Sequence, residues 1–121
     1  MDQVTNVHKQ ESIKSFQSTI RKSENALAQM TQKGANTTLL EKRLKALYVG
    51  FAVLEYAWNE RPHHYTQEDL AEARHILRGL FPSIKTIYAK AKAGSPQHTL
   101  LERRIKSLEL AVQAIDDLSM K

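Results

Sequence analysis

The chain has 121 residues and no cysteine, and its 18 lysines and arginines outnumber its 13 aspartates and glutamates by five. Disulfides, thiolate nucleophiles and thiolate metal sites are therefore excluded. The N-terminal sequence MDQVTNVHKQES has no apolar signal-peptide core, and no later run approaches the roughly 20 apolar residues of a membrane span. We predict one cytoplasmic domain without membrane insertion, long enough to bury its own core.

Four amphipathic segments follow one another along the chain. In each, apolar residues recur every three or four positions, the spacing of one helix face. We predict helices at residues 9–33, 36–60, 66–92 and 96–119, preceded by a flexible segment at residues 1–8. No segment of useful length shows the alternation of a strand, so the predicted fold class is all-α, with one domain over 9–121.

Turn and cap residues separate these four segments. Gly34 and Gly94 follow the first and third segments, where a left-handed helix end favours glycine. Thr66 and Asp69 have the spacing of a capping box at the start of the third helix. Ser95 precedes a proline and is predicted to cap the fourth helix.

A ten-residue stretch occurs twice. TLLEKRLKAL at Thr38–Leu47 returns as TLLERRIKSL at Thr99–Leu108, 61 residues later and identical at seven of ten positions. Each copy begins the second helix of an αα-hairpin, one hairpin at 9–60 and the other at 66–119. Because one hairpin cannot bury its apolar face alone, we predict that the two close into an antiparallel, up-down-up-down four-helix bundle.

Two small or helix-breaking residues lie inside predicted helices. Pro82 removes one backbone hydrogen bond from the third helix, at a cost of roughly 3 kcal/mol in a helix interior. The apolar stripe keeps its phase from Leu77 to Ile84, which predicts a kinked third helix rather than a break into two. Gly50 matches Ala111 in the second copy, and these small residues predict a close helix crossing.

In this predicted order the turns at Gly34 and Gly94 lie at the same end of the bundle, together with many cations. Helix N-termini there also favour anions. The sequence thus predicts binding of phosphate, a nucleic-acid backbone or an anionic partner by Lys42, Arg43, Lys45, Arg103, Arg104 and Lys106. The alternative is an ordinary solvated surface, since no aromatic residues interleave to form a base-stacking platform.

The second predicted helix has more apolar residues than one core face needs. The stretch ALYVGFAVLEYAW at Ala46–Trp58 contains a single charge, Glu55. Apolar residues on two sides of a helix indicate either a surrounded helix or a binding surface. We predict that a protein partner or a second copy of the chain covers the outer face, the alternative being cover by the chain itself. That predicted face consists of Val49, Ala52, Val53 and Tyr56.

Catalytic and metal motifs are weak in this sequence. Glu72 and His75 have the Glu-x-x-His spacing of di-iron bundles, but the fourth helix lacks the second such motif that those sites need. His63 and His64 fall in a connection, and no nucleophile elbow or phosphate-binding loop is present. We predict a non-enzymatic interaction module without metal or cofactor; the alternative function is binding of nucleic acid or another polyanion.

Overall fold

The computed structural model describes residues 5–119, and within that range it contains four α-helices and no strand. These are α1 (Asn6–Gln32), α2 (Thr38–Asn59), α3 (Gln67–Lys90) and α4 (Pro96–Ser119). The prediction of an all-α chain with four helices is confirmed. Of the predicted flexible segment 1–8, residues 1–4 lie outside the described residues, and α1 begins three residues earlier than predicted.

The predicted turns and caps are present. Gly34 and Gly94 take φ values of 72° and 82°, in the left-handed region that favours glycine. Thr66 and Asp69 form the capping box that begins α3. The Ser95 hydroxyl accepts the His98 N–H at the start of α4. These features depend on residues close together in sequence, and local patterns sufficed to find them.

Within each hairpin the two helices run in opposite directions. In the first hairpin, the Lys9 ammonium lies 5.9 Å from the centre of the Trp58 ring, and the Tyr48 hydroxyl bonds to Glu24 further along α1. A later residue of α1 thus meets an earlier residue of α2.

The second hairpin shows the same relation between α3 and α4. The Tyr88 ring stacks on the His98 ring with centroids 4.3 Å apart, and Arg74 pairs with Asp116. The end of α3 therefore meets the start of α4, and the two helices are antiparallel.

Between the hairpins, α1 and α4 meet through the first half of each helix. Arg103 Nε lies 2.7 Å from a Glu11 carboxylate oxygen, and one turn further along both helices the Ser107 and Ser15 hydroxyls are 3.4 Å apart. The start of α4 therefore lies beside the start of α1.

The other pair from different hairpins, α2 and α3, meets near the start of α3. Lys45 Nζ lies 3.1 Å from an Asp69 carboxylate oxygen. Further along both helices, a Cβ placed on Gly50 would lie 3.1 Å from Leu77 Cδ1. The starts of α2 and α4 therefore lie beside different parts of α1, and the predicted up-down-up-down order stays a prediction.

The connection between α2 and α3 explains where α3 begins. Residues 60–66 return along the outside of α2 instead of turning back at its end: the His63 ring lies 5.4 Å from the Tyr56 ring and 6.1 Å from the Tyr65 ring. Glu60 turns the chain with a left-handed φ of 56°, and six residues after it, when extended, span about 20 Å, the rise of roughly 13 helical residues. That length carries the chain back to the level of Lys45, where α3 begins.

Residues 61 positions apart occupy matching places in the two interfaces between hairpins. Glu11 faces Arg103 across the α1–α4 interface, and their counterparts Glu72 and Lys42 line one crevice between α3 and α2. Because these contacts are exchanged between the hairpins, the two hairpins are related by an approximate two-fold axis. The sequence repeat and the packing therefore share one periodicity.

The helices α2 and α4 both lie at the centre of the bundle. Each packs against the other three helices, whereas among the described residues no Cα of α1 comes within 8 Å of a Cα of α3. Gly50 permits this close packing, because any side chain there would meet the Phe16 ring at 3.3 Å and Leu77 at 3.1 Å. The predicted close crossing at Gly50 thus involves side chains of α1 and α3.

The third helix continues through its proline. α3 is unbroken from Gln67 to Lys90 with Pro82 in its interior, so the alternative of two shorter helices is wrong. The Thr86 hydroxyl donates to the Pro82 carbonyl at 2.8 Å. A kink at Pro82 stays a prediction.

The contact between the first halves of α1 and α4 can be tested by a disulfide, since the natural chain has no cysteine. Ser15→Cys combined with Ser107→Cys should form an intramolecular disulfide in oxidising buffer, because the two hydroxyl oxygens are 3.4 Å apart. Mass spectrometry of the intact protein measures the bond as the loss of two hydrogens. Ser23→Cys with Ser107→Cys is the control, and only an antiparallel α1–α4 pair would cross-link there instead.

The role of Gly50 can be tested against a glycine in open space. Gly50→Val should lower the free energy of unfolding by about 1–3 kcal/mol, because the new side chain overlaps Phe16 and Leu77. Gly79→Ala should raise it by about 0.5–1 kcal/mol, since Gly79 is helical and has nothing near its Cβ position. Urea denaturation followed by circular dichroism measures both. Equal effects of the two changes would contradict the close packing at Gly50.

Candidate interaction surfaces

The six predicted anion-binding cations divide between opposite ends of the bundle. The start of α2 follows the turn at the end of α1, whereas Tyr88, at the end of α3, lines the same groove as His8 at the start of α1. The 27 residues of α1 place its own two ends about 40 Å apart. Because Arg103 pairs with Glu11 near the start of α1, the predicted single basic end does not form: Lys42, Arg43 and Lys45 follow the end of α1, and Arg103, Arg104 and Lys106 lie beside its start.

Lys45 is already bonded within the fold. Its hydrogen bond to Asp69, 3.1 Å long, raises the pKa of the Lys45 ammonium. The pKa of the Asp69 carboxyl is lowered, first by the backbone N–H of Thr66 and then by Lys45. This pair joins the start of α3 to α2 and is less available to a ligand than its neighbours.

The two arginines at the start of α4 differ in their surroundings. Arg103 pairs with Glu11 and remains half exposed. Arg104 is partly buried, and its Nε has no hydrogen-bond partner among the described residues. Burial lowers the pKa of the Arg104 guanidinium. Its desolvated N–H is thus a donor without an internal acceptor, which is costly unless an acceptor is supplied.

The predicted partner face on α2 is largely internal. Val49 is 1% exposed, in the crevice between α2 and α3, and Val53 is 0% exposed in the core, so the expectation that both lie on an outer face is wrong. Ala52 is half-buried, and Tyr56 is exposed but contacts His63 of the returning connection. α3 covers Val49, and the 60–66 connection covers part of Tyr56.

A different apolar feature is exposed at the start of α2 and of α4. Leu39 is 61% exposed and Leu100 is 58% exposed, and they occupy the same position in the two repeat copies. Each has basic residues three and four positions later, which places all three on one helix surface. We name these the α2 end surface (Leu39, Lys42 and Arg43) and the α4 end surface (Leu100, Arg103 and Arg104).

The sequence contained the signal for these surfaces. The core stripes use Leu44 and Leu47 of the first copy and Leu101 and Leu108 of the second, all of them buried. The leucine at the second position of each copy is not needed by either stripe, yet it is identical in both. Because we considered only the cations, which we grouped by the predicted helix order, we missed the leucines beside them.

Other sites considered from the sequence have no further support. Among residues 5–119 no group of three histidine, aspartate or glutamate side chains converges in a way that could hold a metal ion; Glu72 and His75 are both exposed. Over the same residues, no helix combines the length and apolarity needed to cross a membrane.

Comparison with known proteins adds no assignment. No protein family matches the chain, and neither a curated protein nor a solved structure does so. The functional argument therefore depends on the surfaces themselves.

The pair of Lys45 and Asp69 predicts a stability that depends on acid pH. Because the pKa of Asp69 is lowered in the fold, its carboxylate stabilises the protein above the unfolded-state pKa of about 3.9, and this stabilisation is lost as pH falls through the folded pKa. Asp69→Asn should therefore lower the melting temperature at about pH 7, and the difference from the natural protein should shrink below about pH 4. Asp117→Asn, at an exposed position of α4, is the control. A difference independent of pH would contradict the ionic role.

Proposed function

We propose that this protein is a non-enzymatic interaction module that docks a protein partner through the α2 and α4 end surfaces. The observation that carries the proposal is the pair of leucines, Leu39 and Leu100, exposed at the same position of both repeat copies and each beside two basic residues.

Exposure of one leucine is ordinary, because much of any protein surface is apolar. Two leucines at matching positions are more informative, since the other leucines that the copies share are explained by the core. Leu39 and Leu100 add little to the core, so we infer that they contact a binding partner.

The chemistry of the end surfaces suits protein docking. Burying one leucine side chain in a partner pocket contributes about 1.5–3 kcal/mol, and the flanking cations add orientation and a faster encounter with an acidic surface. Lys42 and Arg43 are exposed and form no ion pair within residues 5–119, so they are free to take part.

The alternative, polyanion binding, has less support. The six cations lie in two groups of three at opposite ends, and Lys45 and Arg103 already pair with Asp69 and Glu11. A nucleic-acid backbone needs several unpaired cations along a continuous path. A protein partner with an apolar side chain would contact both the leucine and the cations of an end surface, whereas a polyanion would contact the cations alone.

Capture of a partner should depend on both leucines. With the purified protein as bait in an extract of its native host, Leu39→Ser together with Leu100→Ser should reduce recovery of the partner at least about tenfold, since each lost leucine contact is worth 1.4 kcal/mol or more. Quantitative mass spectrometry measures the recovered protein, and circular dichroism checks that helix content is unchanged.

Ile87→Ser is the matched control, because Ile87 is also an exposed apolar residue but belongs to neither end surface. It should leave recovery as it is. Equal recovery by the natural protein and the double leucine variant would contradict the proposed function.

A further inference from the structure

We infer that the two end surfaces bind two copies of one kind of partner at the same time, each through an acidic amphipathic helix, so that the protein bridges two partner molecules. This inference rests on the proposed function and adds to it the number of sites and the chemistry of the occupant.

The geometry supports two sites that are open together. The approximate two-fold axis exchanges the start of α2 with the start of α4, so the residue pattern of one surface recurs on the other. The two surfaces lie beside different parts of α1, since Arg103 pairs with Glu11 whereas Tyr48, just after the α2 end surface, bonds to Glu24. The stretch of α1 from Glu11 to Glu24 rises about 20 Å, so a peptide of two or three helical turns at one surface does not cover the other, and two such peptides should bind independently.

The charge of the surfaces determines the class of occupant. Lys42 and Arg43 flank Leu39 without internal ion pairs, and Lys33 is exposed at the end of α1 close by. An occupant that covers the leucine therefore brings its neighbouring residues against positive charge, which favours glutamate or aspartate there. A second copy of this chain would bring positive charge against positive charge, so self-association through these surfaces is disfavoured.

The cations of the α4 end surface are less available than those of the α2 end surface. Arg104 is partly buried, and its Nε is inaccessible from outside. Arg103 is already paired with Glu11, whereas the cations of the α2 end surface are unpaired, so the two sites should differ in affinity.

The inference is tested by titration calorimetry with a synthetic amphipathic helical peptide that carries leucines on one face and glutamates beside them. The natural protein should bind two peptides per chain, with affinity that falls as salt rises. Leu39→Ser and Leu100→Ser should each leave one site, and the double variant should leave none. Ile87→Ser should keep both sites, and a peptide with lysines in place of the glutamates should not bind.

Each outcome decides between the inference and the proposed function. One peptide per chain, or binding unaffected by both leucine changes, would overturn the two-site inference. If capture from the extract depends on the leucines while the acidic peptide does not bind, the proposed function stands and the acidic class of occupant is wrong. Leucine-independent binding of a short duplex DNA, with no peptide binding, would replace the inference with the polyanion alternative.

Discussion

The close packing around Gly50 is the constraint on which the rest of the structure depends. Phe16 from α1 and Leu77 from α3 both meet α2 at this residue, with space for a hydrogen atom but not for a larger side chain. α2 can therefore pack against all three other helices, and the apolar residues on several of its sides are buried within the chain itself. A helix that is apolar nearly all round is in this case a central helix and not a partner surface.

The returning connection at residues 60–66 has the largest consequence for function. By running back along α2 it starts α3 beside Lys45, so that the end of α3 and the start of α4 lie beside the start of α1. A short turn at Glu60 would have produced the reverse result and collected both basic groups at one end. The path of these seven residues thus decides whether the protein has one strongly basic end or two smaller, matching surfaces.

The two interfaces between hairpins have the same plan but different chemistry. Ser15 and Ser107 meet between α1 and α4, whereas their counterparts Ile76 and Ala46 line the crevice between α3 and α2. Such an interface position needs an apolar residue only where the neighbouring helix buries it against other apolar side chains. Leu39 and Leu100 are identical and exposed, whereas Arg103 and Lys42 beside them border the two interfaces. The likeness of the two leucines is therefore the part that is informative about function.

The amino-acid sequence by itself determined the helices, their caps and the repeat, because these depend on residues within one or two turns of each other. Helical periodicity identified the apolar residues, including Val49 and Val53, and cation spacing identified the basic groups. Only the tertiary structure decided which neighbour covers each apolar residue and which groups share an end. The physical reason is that much the same apolar stripes are buried in either helix order. The path of one seven-residue connection selects between the two orders, and helical periodicity carries no information about that path.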